Sequence, residues 1–304
     1  MNKLNFSYTE DSVAAIVTTF NPNLDRFKKN LRDYAYQFDL IIICDNSTLV
    51  DKQVALISLK REINNVVVLQ MKGNVGIAAA QNIGIHYAIN QGFQYFLEID
   101  QDSSLPDNYV DKIRKSFLSS VEVGSRIAGI GSLPIRADGF VYGDYERNSG
   151  IIPVDKALSS GFFFSKKSFD IIGDKDETLF IDYVDWEWCW RARFVGFEIF
   201  IDTNIHMLHL LGEGHLKLLF LNVGIPAPIR HYYQYRNSLR LFFYKHVPFK
   251  WKLERAFINM FKMIIYSLCF KDSQVRRHFI LMGLKAAIQK KVGKIDTDFT
   301  GDLK

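Results

Sequence analysis

The sequence predicts an α/β fold: a mostly parallel central sheet flanked by helices, followed by amphipathic helices at the C-terminal end. Two observations carry this. Continuous Val/Ile runs alternate with helical patterns through the first third of the chain. Such runs mark strands covered on both faces, the signature of parallel sheets. From Arg230 onward the chain changes to aromatic and basic residues at helical spacing, with breaks near Pro248 and Asp272.

The elements follow in order. Val13 to Thr19 reads as a buried strand, Leu24 to Gln37 as a helix, and Leu40 to Cys44 and Val66 to Leu69 as a second and third strand. Gly76 to Asn90 is Ala-rich with helical spacing, and an apolar run from Phe93 to Ile99 ends at Asp100. This gives a βαβα half of nucleotide-binding type. Beyond it the alternation loosens: Ile127 to Leu133 and Gly161 to Phe164 look like strands, and Ser168 to Ile172 begins a short helix. The region from Arg230 reads as two or three helices, with Trp251, Phe257, Phe261, Ile264 and Leu268 expected on one face and Lys250, Lys252 and Arg255 clustered near its start. A catalytic domain over 1–229 and a basic helical region over 230–304 are expected.

The 304 residues carry a net charge of +5, unevenly spread. Ala227 to Lys294 holds 15 Lys/Arg against two Asp/Glu, and residues 295–304 one Lys against three Asp, which leaves the first 226 residues at −6. A basic tail on an acidic body points to an anionic surface. No nucleic-acid motif accompanies it, so a membrane is the expected partner. A packing appendage, or a contact between copies of the chain, is the plainer alternative. No stretch approaches the length of a spanning helix, and Met1 to Ser12 shows no apolar signal core. Cys44, Cys189 and Cys269 have no metal-ligand spacing and suit a reduced, cytoplasmic protein.

Polar residues collect at the strand ends. The first strand ends in Thr18-Thr19-Phe20-Asn21, the second leads to Asp45-Asn46-Ser47, the third to Gly73-Asn74-Val75-Gly76, and the fourth ends in Asp100-Gln101-Asp102. In an open α/β sheet ligands bind at the carboxyl ends of the strands. Paired carboxylates one residue apart suit Mg2+ or Mn2+ against a diphosphate. Asp45 can accept from a pyrimidine N3–H, Phe20 can stack on a base, and the turn at Gly76 opens a helix whose free N–H groups suit an anion. Taken singly each loop reads as turn and cap chemistry; four in succession favour a shared ligand. No P-loop or Gly-x-Gly-x-x-Gly pattern is present.

A second acidic cluster, Asp182-Tyr183-Val184-Asp185-Trp186-Glu187-Trp188, sets carboxylates among tryptophans, where desolvation makes a carboxylate a better base. Asp185 is the expected functional residue, and Glu187 the i,i+4 partner of Arg191. His206 reads as structural. His209, before Gly212 and Gly214, can offer an imidazole to a metal at Asp102.

In this order the motifs resemble the family 2 inverting glycosyltransferases of GT-A fold. The matching segments are Ala15 to Asn21, Asp45-Asn46-Ser47, Gly73 to Asn82, Asp100-Gln101-Asp102, Asp185 to Arg191, His209 and Tyr235-Arg236-Asn237. Gly76 to Asn82 and Phe180 to Asp185 look most like the bacterial rhamnosyltransferase branch, which uses dTDP-L-rhamnose to build O-antigen or capsule. The resemblance implies that Thr18, Phe20 and Asp45 hold the nucleoside, with Asn74, Gly76 and Gln81 further along the nucleotide-sugar site. It also implies that Asp100 faces the ribose, that Asp102 and His209 bind Mn2+ or Mg2+, and that Asp185 is the general base. Two departures stand out: Gln81 occupies a position where many members carry Arg, and Val184 replaces the acidic neighbour of the base.

The reading is a metal-dependent inverting glycosyltransferase, transferring L-rhamnose from dTDP-rhamnose, or a sugar from a UDP donor, to a lipid-linked or polysaccharide acceptor. It is expected in the cytoplasm, on the inner face of the membrane. A nucleotidyltransferase on a related fold, which leaves Asp185 without a task, and a non-catalytic membrane-docked binding protein are the alternatives.

Overall fold

The computed structural model describes residues 8–135, 149–208, 215–218 and 221–296. Strands β1 (Val13–Thr19) and β2 (Leu40–Asp45) are almost wholly buried, as their Val/Ile runs require. Between them α1 (Leu24–Tyr34) starts where the Asn23 side chain accepts from the Arg26 N–H, buries Phe27, Leu31 and Tyr34, and closes in a 3₁₀ turn at Ala35–Gln37. Helix α2 (Val50–Glu62) precedes β3 (Val66–Gln70) and is absent from the sequence reading. It buries Leu56 and Leu59 but exposes Val50, Val54 and Ile57, so its apolar period is blurred. Helix α3 (Ile77–Asn90) lies on β1 and β2. Its Gly84 permits that approach, because a Cβ there would come within 2.5 Å of Cys44 Sγ and 2.8 Å of Ile16.

After β4 (Tyr95–Asp100) come α4 (Tyr109–Glu122), β5 (Ile127–Ile135), β6 (Ile151–Val154), β7 (Phe162–Ser165) and α5 (Lys166–Ile172). A 3₁₀ turn at Glu177–Leu179, α6 (Val184–Phe194), β8 (Glu198–Leu208) and an antiparallel pair, β9 (His215–Leu218) and β10 (Leu221–Gly224), follow. Three helices complete the described chain: α7 (Arg230–Leu241), α8 (Phe249–Leu268) and α9 (Ser273–Ile288). Pro248 and Asp272, the expected breaks, immediately precede α8 and α9.

Eight strands form one sheet in the order β3-β2-β1-β4-β7-β5-β8-β6. The half built from β1 to β4 is parallel throughout. In the other half β7 runs antiparallel to β4 and β5, and β6 to β8, so only β5 and β8 pair in parallel. The order reverses between β1 and β4, and a crevice opens at such a switch point beyond the carboxyl ends of the strands. Strand register sets the crevice floor: Thr18 pairs with Asp100, and Thr19 with Asp45.

The shared apolar face expected on the long C-terminal helix is only partly observed. Trp251 turns inward, with its ring centroid 4.8 Å from that of Trp190, whereas Phe257, Phe261, Ile264 and Leu268 are exposed. At 3.6 residues per turn position 251 lies about 110° around the helix from the centre of the other four. Among the described residues no helix is long and apolar enough to cross a membrane.

Candidate active site

A cavity of about 570 Å³ opens at the switch point, lined from the sheet side by Thr18, Phe20, Asn46, Asn74, Gly76, Gln81, Asp100 and Asp102. Asp182, Tyr183, Asp185 and Trp186 line its far side, and Arg230, Arg255 and Lys262 reach it from the C-terminal helices. Residues from seven separate stretches of sequence thus meet in one cleft.

Thr18 Oγ1 is buried without a hydrogen-bond partner among the described residues. Asp45 stands just behind the lining, 1% exposed, and Asn46 takes the place at the surface of the cavity. Asp45 Oδ1 accepts from Thr19 Oγ1 at 3.0 Å and from the Ser47 N–H at 2.9 Å, while Oδ2 has no partner. Phe20 is 45% exposed at the mouth, a ring face open to a planar ligand. Its N–H donates to Gln101 Oε1 at 2.7 Å, which ties the end of β1 to the carboxylate loop. Arg26 reinforces that loop by donating to the carbonyl of Asp102 at 2.9 Å.

The turn before α3 differs from the expectation of free helix N–H groups. The Gly76 N–H donates to Asn74 Oδ1 at 3.0 Å and the Ile77 N–H to the Phe180 carbonyl at 2.8 Å, so both are already used. Gly76 has φ +91°, and an added Cβ would lie 2.6 Å from Phe180 Cδ2 and 2.7 Å from its carbonyl oxygen. Its close approach therefore fixes the neighbouring loop. Gln81 is buried and lines the cavity.

That neighbouring loop is conformationally unusual. Phe180, Asp182 and Tyr183 have φ of 67°, 66° and 68°, a region costly for residues other than glycine. The buried Asn237 clamps the loop, donating from Nδ2 to the carbonyls of Leu179, Ile181 and Asp182 at 2.9, 2.8 and 3.2 Å. Arg236, also fully buried, donates to the carbonyls of Leu179 and Gly293 at 2.9 and 2.6 Å. Arg230 pairs with Asp182 at 2.5 Å. The loop delivers Asp185 at the start of α6, with Oδ1 accepting from the Trp186 N–H at 2.9 Å. Glu187 lies on the protein side, paired with Arg191 at 2.9 Å as the i,i+4 spacing requires.

Electrostatics concentrate negative charge here. Burial, then Asp102 and Asp185, push the Asp100 carboxyl up to about 7, against the pull of Lys175 and Arg230. Burial also raises Asp185, opposed by Lys175 and by the backbone N–H of Trp186. Lys175, whose charge acts on Asp100, Asp185 and Glu98 from outside the cavity lining, is absent from the sequence reading. Its Nζ lies 2.9 Å from Glu98 Oε2, both side chains are buried, and burial still raises Glu98 despite the pairing. A charged residue inside the apolar run of β4 is the one signal that a buried partner had to exist.

Asp100 and Asp102 fit a divalent cation: both line the cavity, their mutual repulsion is relieved by a positive ion, and oxygen donors suit Mg2+ and Mn2+. No cluster of three or more metal-ligating side chains occurs among the described residues. His209 lies outside the described residues. The expected basic surface cluster separates: Lys250 is exposed, Lys252 donates to the Tyr244 carbonyl at 2.8 Å, and Arg255 faces the cavity.

Comparison with known proteins agrees with this frame. Residues 14–140 match the family described as glycosyl transferase family 2. The chain is 29% identical over 290 residues to dTDP-rhamnosyl transferase RfbF of Shigella flexneri, covering 88% of this chain and 93% of that protein. Among solved structures, S. aureus TarS 1-349 in complex with UDP-GlcNAc superposes with a TM-score of 0.55 at 13% identity, over 91% of this chain and 81% of that one. GalNAc-T7 with UDP, GalNAc and Mn2+ gives 0.55 at 12% identity, over 92% of this chain and 57% of that one. The chain spans 44% of a longer TarS structure. At such identities the structures speak for the fold alone. The chain carries a family 2 glycosyltransferase domain and is a glycosyltransferase of GT-A fold.

Proposed function

We propose that this glycosyltransferase is metal-dependent and inverting, and transfers L-rhamnose from dTDP-L-rhamnose to a lipid-linked or polysaccharide acceptor at the inner face of the cytoplasmic membrane. The observation that carries the reading is the convergence of Asp100, Asp102 and Asp185 on one cavity at the switch point. The similarity to a dTDP-rhamnosyl transferase over most of both chains supports the donor.

In this reading Phe20 stacks on the thymine. Thr18 Oγ1 and Asp45 Oδ2, both buried without partners, are the polar atoms left for the nucleoside. Buried polar groups without partners cost stability, which a bound ligand recovers. An acceptor hydroxyl attacks the anomeric carbon from the face opposite the diphosphate. Its proton passes to Asp185, whose burial makes it the better base. The bond from the anomeric carbon to the diphosphate oxygen breaks, and the electron pair leaves with the nucleoside diphosphate. A divalent metal on Asp100 and Asp102, with His209 as the third proposed ligand, supplies Lewis-acid compensation for that charge when bound.

The membrane part rests on α8. Phe249, Leu253, Phe257, Phe261, Ile264 and Leu268 are exposed along one side of it, and Lys250 and, on the adjoining α9, Arg277 and Lys285 are exposed too. Apolar area rimmed by cations suits an anionic leaflet.

The test compares dTDP-L-rhamnose with UDP-GlcNAc as donors, in Mn2+ and in EDTA. Transfer from dTDP-L-rhamnose that disappears in EDTA and in Asp102→Ala is expected. Equal use of UDP-GlcNAc, or full activity in EDTA, overturns the reading. Sedimentation with anionic vesicles tests the dock: Phe257→Ser with Ile264→Ser should release the protein. Unchanged vesicle binding, or a dimer that dissociates in this variant, assigns the stripe elsewhere.

A further inference from the structure

Helix α8 is amphipathic with its polar side inward. Arg255, Asn259, Lys262 and Tyr266 follow one another at i, i+4, i+7 and i+11, so they share a face, and all four line the cavity. The opposite face is the exposed apolar one. A helix that packs for stability alone turns its apolar side inward, so the inward polar face calls for a ligand.

The two cations on this face lack counter-charges. Arg230, on the same wall, is paired with Asp182. Neither Arg255 nor Lys262 has an ion pair among the described residues, and Arg255 Nε is buried with no hydrogen-bond partner. Aromatic rings hold the Arg255 guanidinium in place, with its carbon 5.5 Å from the Tyr183 ring centroid, 5.8 Å from Trp186 and 5.4 Å from Trp251. Such a cage orients a cation without neutralising it. Burial, and then Arg255 itself, lower the Lys262 pKa, as expected for two cations confined together without an anion.

Their position separates them from the donor carboxylates. Arg255 stands over Trp186, the neighbour of Asp185, whereas Asp100 and Asp102 come from the end of β4. We infer that Arg255 and Lys262 form a phosphate-binding subsite on the acceptor side of the cleft, which receives a phosphate or diphosphate group carried by the acceptor. Guanidinium and ammonium donors both suit phosphate oxygens. The inference rests on Asp185 marking the acceptor side, and the same phosphate chemistry could come from the donor's diphosphate.

The test has three arms, on wild type, Arg255→Gln, Lys262→Gln and Lys262→Arg. In the first, calorimetry measures binding of inorganic pyrophosphate in EDTA, where no metal assists. Wild type should bind, each Gln variant should bind about tenfold or more weakly, the loss of one charge-assisted hydrogen bond, and Lys262→Arg should retain binding. In the second, dTDP is titrated with Mn2+. In the third, KM is compared between a saccharide on a short prenyl diphosphate and the same saccharide as its methyl glycoside. The Gln variants should lose the preference for the diphosphate acceptor. No pyrophosphate binding by wild type overturns the subsite, as does an unchanged acceptor preference. Weakening of dTDP by the same factor assigns the cations to the donor instead. Lys262→Gln, which removes no ring contact, separates recognition from folding. The pyrophosphate arm needs no rhamnose transfer, so failure of the proposed donor leaves it readable.

Discussion

Replacing Asp100 by Asn removes a carboxylate that burial and neighbouring like charge disfavour. Burial, Asp102 and Asp185 raise its pKa from 3.8 to about 7. Three units correspond to roughly 4 kcal/mol at 1.36 kcal/mol each. Asp100 is only partly buried, and solvent screening reduces the effect to about 2 kcal/mol. The sign follows from the direction. A pKa raised by folding favours the folded state where the group is protonated, so this contribution is complete below about pH 4 and is lost as pH rises through about 7. Asparagine never ionises and keeps it. Asp100→Asn should therefore match wild type near pH 4 and exceed it by about 2 kcal/mol near pH 8.5, about 3 °C in Tm for a chain of this length. The assay is calorimetric melting in EDTA across that range. Adding Mn2+ near pH 8.5 should raise the wild-type Tm more than that of the variant, because the metal offsets the same repulsion. A gain independent of pH, or no gain near pH 8.5, would refute the argument.

Three further outcomes are expected. Asp185→Asn keeps size and hydrogen bonding, so donor affinity should stay near normal while transfer falls at least ~10²-fold; loss of dTDP binding measured by calorimetry would make Asp185 a donor residue. Asn237→Ala strips three carbonyls of the loop ahead of Asp185 and should cost about 3 kcal/mol in urea unfolding, with a drop in kcat larger than any change in donor affinity. Equal kcat would separate the loop from the chemistry. Gly76→Ala sets a methyl against Phe180 at positive φ and should cost about 2–4 kcal/mol, read as a lower Tm; a stable, fully active variant would show that the loop yields freely.

The sheet side of the site was legible because its information is local. A continuous apolar run predicts a buried strand, and the polar residues that end it must lie at one edge of a parallel sheet. Thr18, Asp100 and Asp102 follow from that alone. The other side depends on contacts remote in sequence. Glu98 within an apolar strand announces a partner, but nothing marks Lys175, 77 residues on, as that partner. Arg255 was grouped with Lys250 and Lys252 because local charge density carries no inward or outward sense. Periodicity misleads for α8, whose apolar side faces out, and is too blurred to reveal α2. Asn237 entered only through resemblance, since its work is done on backbone carbonyls 55 to 58 residues away.

The clamp by Arg236 and Asn237 orders events in the life of the chain. The strands that present Thr18, Asp45, Asp100 and Asp102 are complete once the ribosome has made the first third of the protein. The segment from Phe180 to Asp185 must take a backbone conformation that its own residues disfavour, and until α7 emerges it lacks the Asn237 and Arg236 donors that hold it there. The sheet side of the cleft can therefore form before Asp185, the proposed base, is fixed in place. A proteolytic cut after Gly224 would likewise leave the three carboxylates in the fragment while removing what fixes one of them. The position of Asp185 thus depends on chain made well after the carboxylates, and on chain that such a cut removes.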